Sequence, residues 1–137
     1  MIKTIAPERT TDSHGSGAWQ ASRGSRKHNG TDCAVYSGSI VLSATVGMVT
    51  KIGRPYYDAE DTSKNHFRYV QVTTPLGYEI RYFYIEPCVG LGDHISLDQP
   101  LGVAQDLTKV YNGITPHVHI GVKKDGKYID PGVYFKG

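Results

Sequence analysis

Thr115-Pro116-His117-Val118-His119-Ile120-Gly121-Val122 is a β-branched run in which two imidazoles stand two residues apart. β-Branched residues favour strands, and strand side chains alternate between faces, so both histidines point to one face of one strand. Successive strand residues rise about 3.3 Å, which puts the two Cα atoms roughly 6.6 Å apart. At that spacing one ring can hold a metal while the other reaches the metal's water, and only one of the two need be a ligand. Taken alone, the pattern also fits two polar residues on the solvated face of an edge strand. The run continues into Lys123-Lys124-Asp125-Gly126-Lys127, whose Asp-Gly is expected of a tight hairpin turn.

From Thr31 the chain keeps this texture. Val35, Ile40-Val41-Leu42, Met48-Val49, Ile52, Tyr69-Val70-Gln71-Val72, Tyr78 to Ile85, Ile95 and Leu101 to Ala104 are short β-branched or aromatic runs separated by Gly, Pro, Asn or Asp. No segment holds a helical period over about ten residues, so the expected class is all-β. Thr73-Thr74-Pro75-Leu76-Gly77 reads as a further hairpin turn. Arg54 to Asn65 and Gln105 to Thr115 are longer connections, which on a β scaffold carry function or move. Tyr56, Tyr57, Tyr111 and Asn112 could wall a groove for an extended peptide there, or form ordinary surface. The first 25 residues are rich in Thr, Ser, Gly and Asp and loop-like; Trp19 either pins them to the core or lines the cleft.

A second polar constellation lies upstream, at Arg26-Lys27-His28-Asn29-Gly30-Thr31-Asp32. His and Asp are zinc ligands, but four extended residues span about 13 Å, too far for both side chains to meet one ion. The backbone must bend between them, and Gly30 sits midway, where a kink is least costly. Asn-Gly is also a common turn dipeptide, so a polar turn before a strand is the other reading. His28, Asp32 and one of His117 and His119 would give three N/O ligands and an open fourth position, the composition of a catalytic zinc site. Cys33 follows Asp32 directly and by alternation faces away from such a metal.

A chain of 137 residues is expected to form one domain, residues 1–137, with the loop-rich 1–25 packed on it and about two-thirds of the unfolded surface buried. Its 39% hydrophobic and 20% charged residues describe an ordinary globule. A net charge of +2 is too weak a footprint for nucleic acid, though mildly favourable for approaching an anionic surface. No apolar stretch approaches the roughly 18 residues of a membrane span. Met1 to Arg9 lacks the apolar core of a secretory signal, so the expectation is a mature domain, or a protein made in the cytosol and released by another route. The two cysteines, Cys33 and Cys88, make no disulfide framework and are expected as thiols. His66 and His94 are expected to be solvated, and His14 to be a turn residue or to border the site.

The pair formed by His28-Asn29-Gly30-Thr31-Asp32 and His117-Val118-His119 resembles the His-x-Gly-x-Asp and His-x-His motifs of the lysostaphin/LytM-type zinc endopeptidases, which cut peptide cross-links in bacterial cell walls. Nearly the whole chain takes part, including Ser39 to Ala44 with Gly47-Met48-Val49, Gly90 to Ile95, and Lys124 to Pro131. Within that family it is similar to the branch of the vertebrate leukocyte cell-derived chemotaxin-2 at Asp12-Ser13-His14-Gly15, at Arg23 with His28, at Tyr82 to Pro87 and at Lys109 to Ile114. The resemblance implies a mainly antiparallel β-sandwich or open barrel-like fold with long loops around a groove. It implies zinc held by His28, Asp32 and His119, with His117 catalytic, and a monomer acting on a peptidoglycan stem peptide or cross-bridge. Where the family usually has a further catalytic His, this chain has Tyr84, as the chemotaxin branch does; the vertebrate member is regarded as a secreted signalling protein. The implied activity is therefore a zinc endopeptidase with His117 and Tyr84 as its catalytic pair, and the alternative is a weak or inactive zinc-stabilised binding or signalling module.

Overall fold

The computed structural model describes residues 22–23, 26–27, 31–56, 58–108, 110 and 117–129. In chain order the strands are β1 (Ser22–Arg23), β2 (Arg26–Lys27), β3 (Thr31–Ala34), β4 (Ile40–Leu42), β5 (Gly47–Gly53) and β6 (Tyr69–Thr73). They continue with β7 (Glu79–Phe83), β8 (Ile85–Pro87), β9 (His94–Ile95), β10 (Pro100–Ala104), β11 (His117–Lys124) and β12 (Lys127–Ile129). There is no helix among the described residues, and every pairing is antiparallel, as the period-two texture predicts. No helix long and apolar enough to cross a membrane is therefore present among them. The short ladder of β1 on β2 begins inside the first 25 residues, expected to be loop, and ends just beyond them.

The larger sheet runs β12-β11-β7-β6-β5-β9 and curves into a half-barrel, with β3 also on β11; a smaller sheet, β4-β10-β8, packs against it. Strand β11 is interior rather than an edge. On one side its first half pairs with β3 and its end with β12, while β7 runs along the other side. Its Val118, Ile120 and Val122 are fully buried and join Val70, Val72, Ile80 and Tyr82 of the neighbouring strands with Val41, Ile85 and Leu101 of the smaller sheet in one core. Each such aliphatic side chain contributes about 1.5–3 kcal/mol by leaving water. The odd positions of β11 consequently fall on the opposite face of the sheet, together with Phe83, Arg81 and Tyr69.

Both expected turns are present. Asp125 and Gly126 have φ of 53° and 79° between the paired Lys124 and Lys127, the double positive φ of a type I′ hairpin. Between β6 and β7, Thr74 N–H donates to Tyr78 O at 2.8 Å and Gly77 turns with φ of 87°. The smaller sheet depends on Gly102, where a Cβ would stand 2.1 Å from the Glu86 carbonyl oxygen. Cys33 is buried and Cys88 exposed, and no disulfide joins them.

Tyr82 carries a long-range polar bond across the core. Its ring is fully buried and its hydroxyl accepts from Ala44 N–H at 3.0 Å. Burial pushes the phenol up to about 12 from its ordinary 10, more than the bonds to Ala44 and Ser43 pull it down. Tyr82→Phe is expected to cost about 1–3 kcal/mol in urea unfolding, because a buried N–H is left without its acceptor. A pKa raised in the fold means stability present in full below pH 10 and lost as pH rises toward 12, a loss of roughly 2–3 kcal/mol that the Phe variant lacks.

Candidate metal centre and groove

His119 sits at the middle of the site face of β11. The register sets Asp32 of β3 directly opposite it on one side and Phe83 of β7 on the other. Directly opposed residues of antiparallel strands have Cα atoms about 4.5–5.5 Å apart, so positions 32 and 119 are neighbours across the sheet. Position 32 is adjacent to buried Cys33 and by alternation lies on the face that His119 occupies. The Phe83 ring meets the half-buried His119 ring edge-on at 5.2 Å between centroids, which restricts the imidazole's rotation. His28 lies outside the described residues. Among those that are described, no group of three or more His, Cys, Asp or Glu is gathered around a possible ion.

His117, one step back on the same face, is only 5% exposed. Its ring meets that of Tyr84 at 5.7 Å with an interplanar angle of 89°. Tyr84 reaches this place through a break in the expected Tyr78 to Ile85 strand. It has φ of 73°, a left-handed conformation that is strained for a bulky residue. Tertiary bonds hold it there: Tyr84 N–H donates to Arg68 O at 2.8 Å, and Gln105 N–H donates to Tyr84 O at 2.9 Å. The kink ends β7 and lets consecutive side chains Phe83 and Tyr84 share one side, their rings 6.3 Å apart, while Ile85 returns to the core.

A wall of aromatic residues continues from Tyr84. Its hydroxyl lies 2.9 Å from that of Tyr56, and the fully buried Phe67 meets its ring edge-on at 5.2 Å. Tyr56 stands on the long connection after β5, which local bonds brace. Asp58 Oδ1 accepts from Glu60 N–H and Asp61 N–H, Asn65 Oδ1 accepts from Asp58 N–H, and Asn65 Nδ2 donates to Asp58 O. Bonds from Ser63 lower the Asp61 carboxyl below its ordinary pKa. Gln105 ties the second long connection to this wall by accepting from Arg68 N–H and donating to His66 O.

Of the sequence candidates, the structure thus brings together His117, His119, Tyr84 and Tyr56, with Asp32 opposite His119. His14, Trp19, His28, Tyr57, Tyr111 and Asn112 lie outside the described residues. His66 and His94 are exposed, as expected. Sequence reading missed Phe83, Phe67 and Tyr69; only the register of β7 on β11 and β6, which places Tyr69 and His119 on either side of Phe83, exposes the first and last of these.

Comparison with known proteins agrees with this fold. Residues 26–131 match the model of Peptidase family M23. The chain is 33% identical over 126 residues to bovine leukocyte cell-derived chemotaxin-2, covering 92% of this chain and 78% of that one. Its fold is similar to Helicobacter pylori Csd3, with a TM-score of 0.71 at 22% identity, covering all of this chain but only 33% of that one. It is similar as well to the catalytic domain of the antimicrobial peptidase lysostaphin from Staphylococcus simulans, with a TM-score of 0.63 at 17% identity over 98% of this chain and 90% of that one. The half-barrel, its central His-x-His strand and the matched residues together make the chain a member of Peptidase family M23.

Proposed function

We propose that this protein is a zinc-dependent endopeptidase that cuts peptide cross-links of bacterial peptidoglycan. The reading is carried by one observation: Asp32 is paired with His119, while His117 and Tyr84 meet ring to ring a step away on the same face. His28, Asp32 and His119 would hold the metal, since imidazole and carboxylate are zinc donors and the cross-strand pairing of the last two suits a shared ion. Zinc bound there supplies Lewis acidity, activating water near neutral pH and polarising a peptide carbonyl. His117 takes the proton of the attacking water or hydrogen-bonds the developing oxyanion. Tyr84 donates a hydrogen bond from its phenol hydroxyl to the same oxyanion.

Residues 1–137 act in this reading as a single domain, released to work at the cell wall, as a phage lytic enzyme or a wall hydrolase does. Tyr84 and the 33% identity to a chemotaxin favour one other reading, a zinc-stabilised binding or signalling module with little or no turnover. Incubating the zinc-loaded protein with purified peptidoglycan separates the two. New amino termini well above a His117→Ala control are the expected result; none above that control leaves the binding module.

A further inference from the structure

We propose that Arg81 is a specificity residue of the groove, reading a carboxylate on the bound peptide one or two residues from the bond that is cut. This rests on the peptidase reading. Arg81 shares the site face with His119, because Phe83 pairs with His119 and Arg81 pairs with Gly121, the next position on that face of β11. Such diagonal neighbours lie about 7–8 Å apart, somewhat less at Cβ, and an extended peptide advances about 3.3 Å per residue. Gly121 contributes no side chain between His119 and Lys123, so the sheet is lowest where Arg81 crosses it.

The guanidinium is held as a ligand-binding group is held. Thr50 and Thr73 hydroxyls lie 2.7 Å apart, Gln71 Nε2 donates to Thr50 Oγ1 at 3.0 Å, and Arg81 Nε donates to Gln71 Oε1 at 2.7 Å. Gln71 is only 5% exposed and pairs in register with Arg81, so this chain orients Arg81 from the neighbouring strand. The cation also lies over the Tyr69 ring, 5.3 Å from its centroid. Among the described residues these are its partners: Nε is engaged, and no carboxylate takes the terminal nitrogens. Glu79 is two positions along β7 and pairs in register with Lys123. A planar fork fixed in this way matches a single carboxylate, the anion that peptides carry.

The test is calorimetric binding in a His117→Ala background, with acetyl-tetraalanine as free acid or amide, and acetyl-Ala-Glu-Ala-Ala-amide with its Gln twin. One or both acids bind about tenfold more tightly than the neutral partner, and which pair does so tells an α-carboxylate from an acidic side chain. In Arg81→Gln the ratio falls to near one, and in Arg81→Lys, which keeps charge without the fork, it lies between. No acid preference in the parent, or a preference that survives both substitutions, overturns the assignment and leaves Arg81 as packing on Tyr69. Failure of the peptidase reading shows separately, as peptidoglycan without new amino termini beside an intact acid preference.

Discussion

His119→Ala loses most of its bound zinc after dialysis, while His117→Ala keeps its zinc and loses turnover. The two histidines share a strand face and differ in chemistry only through their neighbours, so the register decides between them. His119 pairs with Asp32, a residue able to share a cation, and its ring is braced by Phe83 at 5.2 Å. His117 pairs with Ala34, which offers no donor, and its ring meets Tyr84 at 5.7 Å. Losing a residue that only supports a metal ligand typically costs 10–100-fold in affinity, so losing a ligand itself should cost on the order of a hundredfold or more. Elemental analysis of both purified variants beside the parent reads this directly. Equal zinc loss would mean that the two imidazoles act together on the metal, and zinc loss confined to His117→Ala would reverse the roles.

The fold was legible where it depends on local chemistry. Alternation along β11, the Asp125-Gly126 turn and the Gly77 turn follow from side-chain period and backbone freedom, and each needs only a few neighbouring residues. Candidate donors were legible in the sequence, but their arrangement was not. Pairing of β3 with β11 joins distant parts of the chain, and nothing in His117-Val118-His119 alone distinguishes an interior strand from an edge. Tyr84 is the clearest case of a feature hidden from sequence reading. A left-handed conformation favours Gly, Asn or Asp, so a tyrosine there can be anticipated only from the Arg68 and Gln105 backbone bonds that enforce it. The aromatic wall depends on that break, and Arg81 enters the groove only once β7 has a register.

Tyr84→Phe should slow turnover about a hundredfold with little change in KM, the usual effect of removing one donor to a developing oxyanion. The substitution is clean because the ring does the packing. Its contacts with His117, Phe67 and Phe83, and the backbone bonds that hold φ at 73°, are equally open to phenylalanine. Only the hydroxyl, 2.9 Å from that of Tyr56, is removed. An effect on kcat alone assigns the hydroxyl to the transition state, because an interaction made equally with bound substrate would appear in KM. Tyr56→Phe removes the partner that orients this hydroxyl and should give a smaller loss in the same direction. If Tyr84→Phe turns substrate over at the parent rate, the phenol plays no chemical part, and His117 alone must serve both the water and the oxyanion.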